Sequence, residues 1–319
     1  MTMLDEQDLA ALALTSRLVD STAKPLSARE FWELSRRIDP SALRGKTASE
    51  IASEIAVSGE DAERIARLFD RAASLAIALE MMDHSGIWTI TGVGERYPER
   101  LRARLRHAAP VVLHGVGDTA LLDTDGVGVV GSRDISDDGS QVAREIAQVA
   151  LKSGLPVVSG AARGVDRIAM NGAFEVGGQV VGVLADPLES AVARPGTRRG
   201  VADGQVCLVT PYTPTAPFST GNAMGRNKII YGLSRCTIVV ASDHETGGTW
   251  AGATEALKNH YGRVVSWTGP GSGPGNSALV KRDAVELSDV TRLDDLLHES
   301  VVAPPVNDKV LGDQLTLGF

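Results

Sequence analysis

The chain has 319 residues, of which 43% are hydrophobic, 23% charged and only 4% aromatic, and its net charge is −8. That length can bury a full core and supports more than one domain, and the composition is ordinary for a soluble protein and argues against a disulfide framework. There is no run of about 18 apolar residues, the acidic start MTMLDEQDLA lacks a signal-peptide pattern, and Cys207 and Cys236 are isolated in apolar runs, so a reducing, cytoplasmic compartment and no membrane association are expected.

Residues 1–85 read as a small all-helical N-terminal domain without a chemical signature. Asp8–Val19 is apolar at helical spacing. Ser27-Ala-Arg-Glu30 and Thr47-Ala-Ser-Glu50 have the form of capping boxes, each opening a helix. A long amphipathic helix is expected from Ser58 to Met82, with Ile65, Leu68, Phe69, Ala72, Leu75, Ala76 and Leu79 on one stripe. Arg44-Gly-Lys-Thr47 looks like the end of a P-loop, but Pro40 stands where the first glycine belongs and a helix, not a strand, precedes it.

From Gly86 the period changes. Ile87–Ile90 and Val111–His114 read as strands around a helix at Pro98–His107, which is crowded by Arg96, Arg100, Arg102, Arg104 and Arg106. Such a run is usually a solvated face. Then strand Val127–Val130, helix Asp138–Lys152, strand Pro156–Val158, helix Val165–Val176 and strand Gln179–Leu184 alternate. A loop-like excursion at Asp186–Gly204 carries Arg194, Arg198 and Arg199. Strand Val206–Thr210, helix Met224–Leu233, strand Thr237–Ala241, helix Trp250–His260 and strand Arg263–Trp267 complete the pattern. The expected fold class is α/β: an extended Rossmann-like, doubly wound, mainly parallel sheet over residues 86–290, with ligands at the strand C-termini. Residues 291–319 are read as a helix and tail.

Charge is unevenly spread. Residues 1–85 carry net −5, residues 86–282 net +3 and residues 283–319 net −6. The glycine-rich middle is thus the basic part, and a local basic surface binds phosphates whatever the total charge.

Candidate binding residues gather at strand ends. Gly126-Val-Gly-Val-Val-Gly131 matches a dinucleotide fingerprint as text, but the residues between its glycines are themselves the strand, so only Gly131 lies in the loop. Gly131, Ser132 and Arg133, with Ser136 capping the next helix, could receive a phosphate; a plain tight turn with a solvated arginine is the alternative. Ser159, Gly160, Arg163 and Gly164 repeat the arrangement on the next strand, where Asp166 is read as structural. Arg226, Asn227 and Lys228 are expected to open a helix, with Arg226 and Lys228 neutralising successive phosphates and Asn227 hydrogen-bonding a base edge or backbone; an ordinary solvated first turn is the alternative. Phe218 is either a stacking platform for a base or a loop anchor. Gly247, Gly248, Thr249 and Glu255 form a candidate nucleotide loop, with helix capping by Thr249 as the alternative. No metal-ligand spacing, serine nucleophile elbow or carboxylate pair stands out, so neither a metal nor a cofactor is expected, and no catalytic residue is assigned.

These motifs, in this order, resemble the DNA-processing protein A (DprA/Smf) family from about Gly86 to Val290. The residues concerned are Gly-Val-Gly-Glu-Arg-Tyr-Pro-Glu-Arg-Leu (92–101), Pro-Val-Val-Leu-His-Gly (110–115), Val-Val-Gly-Ser-Arg-Asp-Ile-Ser (129–136), Ser-Gly-Ala-Ala-Arg-Gly-Val-Asp (159–166) and Gly-Arg-Asn-Lys-Ile-Ile-Tyr-Gly-Leu-Ser (225–234). The Pro270-Gly271 and Gly275-Asn276 turns follow. The resemblance implies an extended Rossmann-like fold, often behind a helical domain. It implies single-stranded DNA held in a basic pocket, homodimers, and loading of the RecA recombinase onto DNA in recombination, chiefly during natural transformation. It also implies that Gly131, Ser132 and Arg133 contact phosphate and that Ser159, Gly160 and Arg163 line the same pocket.

The chain departs from that pattern in places. Ala169-Met170 stands where the family has Ala-His, a Phe-Pro pair before Arg226-Asn227 is missing, and the family's common C-terminal winged-helix domain is not expected here. The runner-up function is a nucleotide sensor or an enzyme similar to the LOG-type phosphoribohydrolases, whose glycine loop Gly247–Glu255 loosely resembles. Separately, Gln314, Leu317 and Phe319 at the tail resemble peptides that dock onto the bacterial sliding clamp.

Overall fold

The structure, a computed structural model, describes residues 4–299. Its helical part contains α1 (Glu6–Thr15), α2 (Ala28–Ser35), α3 (Ala48–Ile55), α4 (Gly59–Phe69) and α5 (Ala72–His84). Both anticipated capping boxes form. The Ser27 hydroxyl accepts from the Glu30 N–H while the Glu30 carboxylate accepts from the Ser27 N–H, and Thr47 and Glu50 do the same. Asp5 and Asp8 make a third box on α1, with a short acid in place of the usual Glu.

The long helix expected over 58–82 is instead two, broken at Asp70–Arg71. The break turns Arg71 inward. Its guanidinium donates to the carbonyls of Ala13 and Ser16, both at 2.7 Å, at the C-terminal end of α1. A helix end leaves its last carbonyls without partners, and a cation there also suits the dipole. An uninterrupted helix would not direct Arg71 to that end.

The helical part packs on the first strands. Phe31, Leu43, Ile51 and Leu68 share a buried cluster with Val111 and Val112, and the Trp32 indole N–H donates to the Ala109 carbonyl at 2.8 Å.

The remainder is one nine-stranded sheet: β1 (Trp88–Thr91), β2 (Val112–Val116), β3 (Gly126–Val130), β4 (Val157–Ser159), β5 (Val180–Val183), β6 (Val206–Thr210), β7 (Ser234–Val239), β8 (Arg263–Trp267) and β9 (Val285–Leu287). The spatial order is β1-β2-β6-β5-β4-β3-β7-β8-β9. The pairs β1–β2 and β2–β6 are antiparallel and all others parallel. The chain winds outward from β3 through β4, β5 and β6, then returns to β7 on the other side of β3. The switch point therefore lies between β3 and β7, where doubly wound sheets place their ligands. Gly126 and Gly128 lie inside β3, as the strand reading requires.

Between the strands run α6 (Glu99–Leu105), α7 (Ala120–Asp123), α8 (Asp137–Lys152), α9 (Val165–Glu175), α10 (Leu188–Val192), α11 (Pro195–Ala202), α12 (Thr220–Leu233), α13 (Gly247–Asn259), α14 (Asn276–Val280) and α15 (Leu293–His298). The excursion after Asp186 is thus two short helices, with Pro195 supplying the preset φ of a first turn, and not a loop. The arginines of α6 serve the fold: Arg104 donates to the carbonyls of Gly232 and Ser234, and Arg100 pairs with Asp125 at 3.1 Å. Among the described residues no helix is long and apolar enough to cross a membrane. The tail residues Gln314, Leu317 and Phe319 lie outside the described residues.

His114 on β2 is buried, with Nδ1 2.9 Å from the Thr89 hydroxyl, and burial pushes its imidazole down to about 4. Unfolded chain takes up that proton below about pH 6.5, whereas folded chain does so only near 4. Stability should therefore fall as pH drops from about 6.5 to 4, by roughly 3 kcal/mol from this group. Urea unfolding across that range checks it, and His114→Phe should flatten this part of the profile.

Candidate nucleic-acid interface

Four turns meet at the C-terminal edge of the sheet, after β3, β4, β6 and β7. The turns after β3 and β4 are interlocked. The Ser132 N–H donates to the Ala241 carbonyl at 2.9 Å, and the Val165 N–H to the Ser132 carbonyl at 3.2 Å. Gly164 has φ +85°, and a Cβ there would overlap the backbone of Ser132 and Arg133. Only glycine allows both that conformation and that approach. Ser136 caps α8, accepting from the Gly139 N–H at 3.3 Å.

Beneath the turns lies a buried ion pair. Arg226, 5% exposed, donates through Nη2 to the Gly160 carbonyl at 2.9 Å and lies 3.8 Å from an Asp166 carboxylate oxygen. Asp166 in turn accepts from the Gly160 N–H at 3.2 Å. Burial raises the Asp166 carboxyl above its usual range; the Arg226 charge and the backbone N–H groups of Gly160, Ala162 and Gly131 oppose that rise. Burial likewise lowers Arg226, against the pull of Asp166 and Asp186. The guanidinium packs against Gly160, where a Cβ would collide with it. Its Nε and Nη1 are buried without a hydrogen-bond partner. Arg226 is thus a buried cation at the strand-end edge, held by the Gly160 carbonyl and the Asp166 carboxylate.

Arg133, whose charge acts on Arg226, is exposed and stacks over Phe218, 5.7 Å from the ring centroid, while Phe218 is 46% exposed. Arg163 is exposed and pairs with Asp134 at 2.8 Å. An exposed pair of this kind contributes little and exchanges readily for another anion.

The structure does not bring every candidate to this edge. Ser159 is fully buried, and its hydroxyl donates to the Val129 carbonyl at 2.5 Å, so it faces strand and not solvent. Helix α12 begins at Thr220 with Ser219 as its cap, so Arg226 does not open it but sits in its second turn. Residues two apart on a helix point to different sides. Asn227 donates to the Gly248 carbonyl at 3.2 Å and ties α12 to α13, while Lys228 is half-buried toward Glu255. Arg226 and Lys228 therefore do not form one wall for successive phosphates.

The nucleotide-loop candidates also separate. Gly247, Gly248 and Thr249 start α13, behind Thr246 as its N-cap, so Thr249 is not the cap. Glu255 lies about 12 Å further along that helix, at 1.5 Å per residue, beside Tyr261 and Lys228. Among the described residues no His, Cys, Asp and Glu group is arranged to hold a metal ion.

Two further residues hold the turns in place: Tyr212, which carries no local sequence signal, and Asn276, which the sequence marks only as part of a turn. The Tyr212 hydroxyl donates to the Asn222 carbonyl at 2.8 Å and fixes the first turn of α12. Asn276, almost fully buried, accepts through Oδ1 from the Ser242 and Gly273 N–H groups and donates to the carbonyls of Val239, Val240 and Trp267. It locks the turns after β7 and β8.

Removing one partner of a buried ion pair leaves the other charge uncompensated. Asp166→Ala should cost about 3–5 kcal/mol, and the double variant Asp166→Leu/Arg226→Met should regain part of that loss. Denaturant unfolding of the single and double variants checks both.

The family model described as DNA recombination-mediator protein A matches residues 88–299. The chain is 27% identical over 270 residues to the DNA processing protein DprA of Bacillus subtilis, covering 83% of this chain and 86% of that protein. It is 33% identical over 143 residues to the protein Smf of Synechocystis, covering 44% of this chain but only 35% of that relative. Among solved structures, DprA from Streptococcus pneumoniae shares the fold with a TM-score of 0.68 at 20% identity, covering 94% of this chain and 99% of that one. DprA from Helicobacter pylori, solved to show its single-stranded DNA binding mode, matches with a TM-score of 0.53 at 22% identity over 66% of this chain and 95% of that one. The match over residues 88–299, on a sheet whose strand-end turns are built around Arg226 and Asp166, places this chain in the DNA recombination-mediator protein A (DprA/Smf) family.

Proposed function

We propose that this protein binds single-stranded DNA along the C-terminal edge of its sheet and acts in DNA processing and recombination as a binding protein, not a hydrolase. One observation carries the reading: an exposed cation–aromatic stack, Arg133 on Phe218, stands at the strand-end turns, where the Arg133 charge acts on buried Arg226. Cation and ring are the two elements of sequence-tolerant single-strand binding, one for the backbone and one for a base face. The single-stranded DNA binding mode of the Helicobacter pylori relative supports it. Trp250-Ala251 stands where the hydrolase loop has its inner Gly-Thr, which counts against the nucleotide hydrolase reading.

The same proposal includes a cytoplasmic location, self-association, RecA loading in recombination or transformation, and a boundary near residue 85 between the helical and Rossmann-like parts. These rest on the family resemblance, the isolated cysteines and the change of period. Docking on a sliding clamp rests on the sequence of Gln314, Leu317 and Phe319.

Fluorescence anisotropy with single- and double-stranded oligonucleotides across a salt series tests the reading. Affinity for the single strand should fall steeply with salt, and Arg133→Ala should weaken it and reduce the log–log slope by about 0.7, one phosphate's share. Phe218→Ala should weaken binding about fivefold or more with the slope unchanged. Salt-insensitive binding, or none, contradicts the proposal.

A further inference from the structure

A crevice of about 330 Å³ opens next to this edge, between α9 and the helices α10 and α11. It begins at Ala161, the residue after Gly160, whose φ of +56° turns the chain out of β4. Its walls are apolar: Met170 and Phe174 from α9, Leu184 after β5, and Leu208 from β6. Gly182 keeps it open, since a Cβ there would press on Leu208 and Met170. Met170 stands where the family resemblance expects a histidine, so in this chain that wall is a polarizable thioether, a good contact for an aromatic ring.

Two exposed arginines, Arg167 on α9 and Arg194 at the start of α11, flank the mouth with Asn171. Neither arginine has an ion-pair partner among the described residues. With Arg133 and Arg163, they carry positive charge from the strand-end turns to the crevice. A space of this size lies at the low end of small-molecule sites, fitting one group of nucleoside dimensions and not a length of chain.

We propose that the crevice takes one base of the bound single strand, its faces against Met170 and Phe174, with the adjoining phosphates on Arg167 and Arg194. This rests on the single-strand reading above and adds a second base site distinct from Phe218. With apolar walls and only Asn171 and Thr197 as neutral polar lining groups, the site reads a base by its faces and discriminates weakly among bases.

The test uses the full chain and an oligothymidylate carrying one 2-aminopurine, with anisotropy reporting binding and acrylamide quenching reporting burial of the fluorescent base. A series moves the probe along the strand. Two positions should be protected, one lost in Phe218→Ala and the other in Met170→Trp, which fills the crevice. Met170→Trp should raise Kd about tenfold. Should the larger side chain disturb folding, Arg194→Ala, at an exposed position, should still lower the salt slope by about 0.7. Binding with one protected position, or with protection and slope unaffected by the crevice variants, overturns the second base site while leaving single-strand binding standing. No binding by wild-type protein overturns both.

Discussion

The buried pair of Arg226 and Asp166 is the constraint around which the strand-end edge is organised. A guanidinium and a carboxylate are costly to remove from water, and their mutual attraction alone offsets that only with good geometry. Here the geometry is supplied by backbone. Gly160 gives its carbonyl to the cation and its N–H to the anion, and its missing side chain is the space in which the guanidinium lies. The pair thus joins α12 to the turn after β4 and the start of α9. Two donors of Arg226 stay buried without a hydrogen-bond partner.

The rest of the edge is positioned relative to that pair. Gly164 lets the turn after β4 lie against Ser132 and Arg133, which sets where Arg133 emerges. Tyr212 pins the opening of α12, and Phe218, in the segment just before that helix, meets Arg133 there. Asn276 closes the far side by satisfying five backbone groups. The result separates two kinds of cation. Arg226 is buried and fixed, whereas Arg133, Arg163, Arg167 and Arg194 are exposed and held weakly or not at all. Exposed charges of this kind attract a polymer of phosphates and exchange counterions, while the buried pair fixes the turns that carry them.

Much of this was legible in the sequence because local chemistry decided it. Alternating strands and helices, the capping boxes at Ser27 and Thr47, the Ser136 cap and the location of Gly131 outside β3 all follow from short-range rules. What the sequence hid is long-range. Nothing near Arg71 shows that it will break a helix to reach the carbonyls of Ala13 and Ser16, 58 and 55 residues away. The triplet Arg226-Asn227-Lys228 reads as one basic patch until the start of α12 at Thr220 fixes its phase, after which its members point three ways. Ser159 looked like a ligand, and only the approach of β3 turns its hydroxyl inward. Asp166 was readable as structural, but its partner is 60 residues on and not the neighbouring Arg163.

The most direct measurement is zero-length photocrosslinking of a 4-thiothymidine oligonucleotide to the full chain, with crosslinked peptides mapped by mass spectrometry. Binding at the C-terminal edge of the sheet predicts crosslinks to the segments around Ser132–Arg133 and Phe218. Crosslinks confined to α15, or to the helices before β1, would contradict it.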